Sequence, residues 1–404
     1  MAKTVYVGMS GGVDSSVSAL LLLEQGYNVK GIYMKNWSQD LPGMKCPWAE
    51  DLADAKRVAV RLGIDFEVWD FEEAYREKVV EYMLAEFRAG NTPNPDIMCN
   101  QEIKFKLFYE KAMEAGADYI ATGHYARVKH TLAEPVFSDA GLESSSTSYA
   151  GTPAEPSLRD EPVGSVRNIR TLDSNHFMHP KKQASAMCPQ LLRARDENKD
   201  QTYFLYRISD EALAHTIFPI GNMLKPDVKK LAKEKGLHNA YKKESMGVCF
   251  VGEVGMKDFL KEYIDVQPGE IREAETEKVL GYHEGAVFYT IGQRHGLYIS
   301  SDMPYYVVRK DTQNNIIYVS KNLNNSELWT NELKLRDVFM RSGHSVSTSS
   351  KKQVLVRLRH RAPLIPAEFD GEVLKFKQEI KKPASGQSAV LYDGEICLGG
   401  GIID

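Results

Sequence analysis

Along the first 125 positions the apolar residues alternate between two rhythms. Short apolar runs stand at Thr4 to Met9, Asn28 to Trp37, Asp65 to Phe71 and Asp118 to Tyr125. Between them lie segments with helical spacing: Ser16 to Gly26, Ala49 to Gly63, a long one from about Glu72 to Ala89 and another from about Phe105 to Ala115. Strands alternating with helices predict a parallel sheet covered on both faces. Ligands of such sheets sit beyond the carboxyl ends of the strands. The loop at Ser10 and the Gly123-His124 turn both fall there, so two separated segments point at one crevice.

The rhythm breaks between His130 and Gln190, where nine serines and six prolines occur in 61 residues. That composition buries too little apolar surface to offset the ordering entropy, and it predicts a flexible insertion, with Val163 to Leu172 as the one stretch that could form a strand. Order resumes at Leu191. Helical patterns at Asp210 to Thr216, Pro226 to Lys235 and Gly255 to Tyr263 predict a small helical middle domain, with Pro226 in a first turn that does not need its missing N–H. After about Gly281 short alternating strands with turn residues (VFYTIG, YYVVRK, NNIIYVS, KQVLVRLRHR, GEVLKF, SAVLYDGEICLGGGII) predict an antiparallel barrel. The expected architecture is therefore α/β: a parallel-sheet nucleotide-binding domain over 1–209, interrupted at 130–190, a middle domain over 210–280, and a C-terminal antiparallel β-barrel over 281–404.

Composition narrows the setting. A chain of 404 residues with 43% hydrophobic content suffices for two or three domains. No apolar run approaches the roughly 20 residues a membrane span requires, so no membrane partner is expected. Met1-Ala2-Lys3-Thr4 leads straight into the first strand, and neither a secretory signal nor an Arg-rich presequence is expected. The five cysteines are odd in number, widely spaced and without C-x-x-C, which points to thiols in a reducing compartment and to no protein-held metal. Net charge is only −4, yet it is unevenly spread. Asp40 to Glu86 holds twelve acidic and six basic residues, whereas Arg341 to Arg361 holds six Lys or Arg, two His and no acid. A basic face is expected on the C-terminal part.

The first chemistry lies in VGMSGGVDSS, Val7 to Ser16, set between a strand and a helix. A helix N-terminus has unpaired amides and positive potential, and Gly11 and Gly12 let the main chain approach a phosphate. Asp14, Ser15 and Ser16 are expected to cap that turn. The turn holds no lysine of the G-x-x-x-x-G-K-[ST] kind, which disfavours cleavage at a γ-phosphate. Two cysteines follow. Pro93 and Pro95 predict an extended loop with Cys99 at a helix start, where the dipole favours thiolate; a small buried hydrophobe fits the same residue equally well. Cys249 follows a stretch with seven lysines between Lys225 and Lys243, which would also favour thiolate, or it lies in a buried Val-Cys-Phe strand behind solvated lysines; the same lysines suit phosphates equally well. In Val354 to Arg361 strand periodicity places Arg357, Arg359 and Arg361 on one face, a row suited to phosphates or simply to water.

The S-G-G-x-D-S string resembles the PP-loop of ATP pyrophosphatases, which split ATP between the α- and β-phosphates and adenylate a substrate oxygen. Together with NPDIMCN, ATGHYAR, ENKDQTYFL, ESMGVCF, YTIGQRHGL and GQSAVLYDGEICLGGG, in that order over nearly the whole chain outside the insertion, it is similar to the tRNA-specific 2-thiouridylase family. The resemblance implies sulfur transfer to C2 of the wobble uridine in tRNAs for lysine, glutamate and glutamine, with ATP, Mg²⁺ and a sulfur donor protein. It implies that Gly8, Met9, Ser10, Gly11, Gly12, Val13, Asp14 and Ser15 hold ATP phosphates, that Met34 and Gly123 contact adenosine, and that Asn94, Pro95 and Asp96 hold the base. Cys249 would bear the persulfide, Cys99 would be the other catalytic cysteine, and His124, Lys199, Asp200, Gln201, Arg359 and Gln387 would touch tRNA. His stands at position 360 where bacterial members usually carry Tyr, and the insertion departs from the bacterial pattern. These features resemble the mitochondrial branch, with a cytoplasmic bacterial protein as the alternative; a monomer is expected. Two other readings fit the loop alone: another PP-loop enzyme adenylating a small molecule, or a non-catalytic RNA-binding protein.

Overall fold

The computed structural model describes residues 2–40, 48–132, 187–243, 256–344, 346 and 351–404. The insertion and Cys249 lie outside these residues. Five of the described strands form the parallel sheet that the alternating pattern requires, in the order Asp65–Asp70, Asn28–Lys35, Thr4–Gly8, Tyr119–Thr122, Thr216–Ile217. Val5 and Val7 are fully buried on one face and Tyr6 packs into a separate core on the other, because successive strand side chains point to opposite faces. The chain turns to one side after Thr4–Gly8 and returns on the other with Tyr119–Thr122, so Gly8 pairs beside Thr122 at the point where strand order reverses. Crevices in doubly covered sheets open at such reversals.

The second core face is built by two long helical stretches. Glu72 to Arg88 is continuous, with a wider π-type turn at Arg76–Val80. The expected Phe105 to Ala115 helix begins ten residues earlier, at Pro95, and runs through π-type turns over Cys99–Leu107 to Glu114. Ile97, Cys99, Ile103, Phe105 and Phe108, all nearly or fully buried, hold it against Tyr75, Val79 and Met83.

Helices Lys225–Glu234 and Met256–Tyr263 stand where helical periodicity placed them. The strands that follow, however, form a sheet of their own in the order Tyr306–Asp311, Ile316–Ser320, Gly269–Glu273, Val279–His283. Ile271 pairs with Gly281 in that sheet, so the expected division at 280/281 cuts through one hydrogen-bonded unit. The polar alternation of Gly269 to His283 is that of a strand pair with one solvated face, which is weak as a sequence signal. Beyond it, six described strands (Trp329–Met340, Val373–Lys381, Ile365–Phe369, Lys352–Arg357, Ser388–Asp393, Ile396–Ile403) close into the expected antiparallel barrel through pairing of the first with the last. Met187–Leu192 adds to the edge of Ile396–Ile403, tying the barrel to the first domain. Among the described residues no helix is long and apolar enough to cross a membrane.

Candidate active site

Strand Thr4–Gly8 feeds the loop Met9 to Gly12 and then helix Val13–Glu24. The expected side-chain caps are not made: Gly12 is the cap residue and no side chain bonds the first amides. The hydroxyls turn inward, with Ser15 and Ser16 donating to the Gly12 carbonyl at 3.1 and 2.9 Å and Ser15 Oγ accepting from the Ser10 amide at 3.2 Å. A helix start left uncapped in this way presents its amides to an anion. Gly11 sits at φ +75, and a Cβ there would lie 2.3 Å from the Asp51 carbonyl oxygen. Met34 stands over Gly8, with its Cε 2.8 Å from where a Cβ of that glycine would be. On the other side a Cβ on Gly123 would lie 2.6 Å from the Ser15 amide nitrogen. Met34 and Gly123 thus flank the loop, and the cradle fits a nucleotide whose phosphates meet the helix. Gly123→Ala forces backbone against backbone and is expected to lower stability by about 1–3 kcal/mol, measured by thermal or urea melts.

Asp14 does not cap; it receives the Tyr125 hydroxyl at 2.9 Å and both oxygens take the Lys225 ammonium at 2.7 and 2.8 Å. A lysine does reach this turn, then, from 211 residues away. In the sequence it stands first among the seven lysines of Lys225 to Lys243 that suit phosphates, at the Lys225-Pro226 start of a helix. Nearby, Asn239 donates to the Gly11 carbonyl and to Ser16 Oγ, both at 2.9 Å. Lys242 pairs with Asp51 at 2.8 Å and Asp54 at 2.5 Å, and His238 meets Asp54 at 3.1 Å. Burial works against the Asp54 charge, but the hydrogen bonds from Lys242 and His238 outweigh it and hold the carboxyl below its usual range.

A cavity of about 360 Å³ opens beside the second helix, lined by Thr92, Pro93, Asn94, Pro95 and Asp96 on one side and by Met256, Lys257 and Phe288 on the other. Its volume is within the range of small-ligand sites. Burial pushes the Asp96 carboxyl upward, and the Lys104 charge only partly opposes it. Gln387 donates to the Thr92 carbonyl at 2.6 Å and Ser385 accepts from the Thr92 amide at 2.7 Å, so the barrel fixes the rim of the cavity. Of the two placements the sequence leaves open for Cys99, a loop and a core, it takes the second: it is 1% exposed, in the second turn of the helix that starts at Pro95, and it does not line the cavity. The prolines force an extended chain only up to Asn94, and Pro95 then serves as the first helical residue. Asp96 and Cys99 are three residues apart, on neighbouring positions of one helix face. Cys249 belongs to the stretch between Lys243 and Met256, outside the described residues; its flanks are Lys242 beside the glycine loop and Met256 at the cavity.

The basic row expected on the C-terminal part is not a row. Strand Lys352–Arg357 ends at its first arginine, and Arg361 has a left-handed φ of 64. Arg357 is buried and bonds Asp200 at 2.6 Å, while Arg359 and Arg361 are exposed beyond the strand end. Asp200, expected to touch tRNA, has no exposed side-chain surface. It also accepts from Thr202 Oγ1 at 2.9 Å and the Ala194 amide at 3.2 Å, so it acts as a buried counter-charge. Gln201 is partly buried and ties the Tyr125 loop through a 2.8 Å bond to its amide. Lys199 is partly buried, and His124 packs between Phe105 and Phe218 with Nδ1 2.8 Å from Thr122 Oγ1.

His360 lies tilted against Phe204 with ring centroids 4.6 Å apart, and burial together with the Arg361 charge pushes its pKa down to about 4. Burial also lowers His124, helped by Lys104, and His283. The unfolded chain takes these protons near 6.5, so the folded state's advantage is complete above that pH and disappears as pH falls below it. Going from about pH 7 to about pH 5.5 is expected to remove about 1 kcal/mol for such a histidine, read as a lower urea midpoint.

A parallel α/β domain with an uncapped glycine loop at its strand reversal, followed by two β-domains, defines a nucleotide-binding enzyme of the HUP class. Three domain models agree: a tRNA methyl transferase HUP domain at residues 3–148 and 161–253, a tRNA methyl transferase PRC-barrel domain at 257–321 and an aminomethyltransferase β-barrel domain at 333–403. Full-length relatives are tRNA-specific 2-thiouridylases: that of Idiomarina loihiensis is 40% identical over 100% of this chain and 96% of its own length. Those of Bacillus subtilis and Pseudomonas fluorescens are 41% and 39% identical over 99% and 100% of this chain and 94% and 95% of their own. The chain belongs to the tRNA-specific 2-thiouridylase family.

Proposed function

We propose that this chain is a tRNA-uridine 2-sulfurtransferase that thiolates C2 of the wobble uridine in tRNAs for lysine, glutamate and glutamine. The observation that carries this reading is the placement of the two ends of the Cys249 segment. One end, at Asn239 and Lys242, is bonded to the glycine loop and its Asp51–Asp54 neighbours; the other, at Met256 and Lys257, lines the cavity with Asn94, Pro95 and Asp96. The described flanks of that segment thus stand at a nucleotide loop and at a pocket of about 360 Å³.

ATP, with Mg²⁺ on its phosphates, supplies an adenylyl group that turns the C2 oxygen of uridine into a leaving group. Asn94 and Asp96 orient the base, which must leave its stack to enter the cavity. The terminal sulfur of a Cys249 persulfide, loaded by a donor protein, attacks C2 and expels AMP with the C2 oxygen. Cys99 then attacks the Cys249 sulfur, freeing the thiolated base and leaving a Cys99–Cys249 disulfide for an external reductant to reopen. Exposed Arg359 and the neighbouring Lys199 meet the RNA backbone, with phosphate contacts that weaken with salt. The protein acts as a monomer in mitochondria, with the cytoplasm as the compartment of a bacterial member; fractionation of cells separates these.

Mass spectrometry of nucleosides from tRNA in cells lacking the protein tests the reaction, with loss of 2-thiouridine expected. Pyrophosphate released only when unmodified tRNA is present supports the enzyme. Release with a small molecule in place of tRNA would identify a different adenylating enzyme, and tRNA binding without release would identify a scaffold.

A further inference from the structure

The glycine loop contains an electrostatic contradiction. Asp14 is the second residue of helix Val13–Glu24, in the same turn whose free amides are to receive phosphates. A carboxylate there favours the helix but repels a bound anion at close range. Lys225 resolves this. Its side chain is 8% exposed, its ammonium touches both Asp14 oxygens at 2.7 and 2.8 Å, and it lies 5.7 Å from the ring of Tyr125, whose hydroxyl donates to the same carboxylate.

The lysine is also held rigidly. Its amide donates to Asp196 Oδ2 at 2.9 Å, fixing the start of helix Lys225–Glu234. That helix buries Val228 and Ala232 in the same core as Val17 and Leu22 of the loop's own helix. A cation on such a platform loses little freedom on meeting a ligand.

We propose that Lys225 is the phosphate-binding cation of this loop, stored on Asp14 in the free protein and handed to the pyrophosphate end of the nucleotide on binding. The inference rests on the ATP reading above and adds a residue to it: the lysine missing from the turn is supplied in space by the middle of the chain. Asp14 is then a competitor for Lys225 as well as its positioning residue.

Calorimetry of inorganic pyrophosphate binding to the full-length protein in EDTA tests this with no metal involved. Asp14→Asn removes the repulsion and the carboxylate that competes for the lysine, so pyrophosphate should bind at least about threefold more tightly than to wild type. Lys225→Met should weaken it at least about tenfold, the scale of one lost charge-assisted contact. The double variant Asp14→Asn/Lys225→Met removes both charges of the pair; it should recover the melting temperature lost in Lys225→Met without recovering pyrophosphate affinity. Recovery of affinity along with stability would show that Lys225 only neutralises Asp14, and would overturn the proposal. Unchanged affinity in Lys225→Met, or weaker binding by Asp14→Asn, would overturn it as well. No pyrophosphate binding by the wild type would overturn the ATP reading itself, and this inference with it.

Discussion

On the two-cysteine proposal, Cys249→Ser and Cys99→Ser are each expected to reduce 2-thiouridine formation by roughly a thousandfold or more, while pyrophosphate release with tRNA continues. A serine hydroxyl neither carries a transferable sulfane sulfur nor cleaves a sulfur–sulfur bond, so either substitution removes a step for which no other residue substitutes. Cys99 is the more demanding test because it is 1% exposed. Burying a hydroxyl there costs about 1–3 kcal/mol, and the variant's melting temperature must be recorded beside its activity. A folded Cys99→Ser protein that still makes 2-thiouridine at the native rate would leave Cys99 as a packing residue and end the two-cysteine scheme. Full turnover by Cys249→Ser on a small molecule would favour the other adenylating class.

Asp200→Ala and Arg357→Ala are each expected to destabilise the protein by about 3–5 kcal/mol: the first leaves the buried Arg357 guanidinium without its carboxylate, and the second leaves Asp200 with the longer 3.5 Å contact to Arg193 as its cationic partner. The pair is 2.6 Å apart, with side-chain exposures of 0% and 5%. Replacing both together, Asp200→Leu with Arg357→Met, recovers most of the loss, since apolar groups of similar volume need no partner. Urea melts measure the cycle, and tRNA binding well below the melting point separates stability from recognition. The pair joins the ENKDQ segment of the first domain to the barrel strand Lys352–Arg357, so any effect of Asp200 on tRNA is expected to come from holding partly buried Lys199 and exposed Arg359 in place. Native stability in Asp200→Ala with selective loss of tRNA affinity would restore a direct contact.

The parts legible in the chain were those whose cause is local. Val5-Tyr6-Val7, two glycines and the run after Val13 each favour strand, turn and helix from their own neighbours, and so the nucleotide loop and its parallel sheet followed. Alternation after Gly281 likewise announced the barrel. The misreadings share a different cause. Strand period two applies only while the strand lasts, and it ends at Arg357 because Asp200, 157 positions away, draws that arginine inward. Pro93 and Pro95 mark a change of backbone direction without saying whether the next residue is solvated, and it is the packing of Ile97, Ile103 and Phe108 against Tyr75 and Val79 that buries Cys99. Asp14 was a plausible cap by type and position, until Lys225 and Tyr125 claimed its carboxylate.

By itself, then, the sequence determined the family, the order of the domains and the glycine loop, because these depend on residue type and short-range spacing. Tertiary structure alone decided which charges face water and which face each other, that Cys99 lies in a core, and that a lysine from the middle of the chain completes the first turn of the first helix. Burial and ion pairing depend on distances between segments hundreds of residues apart, and no local pattern encodes those distances.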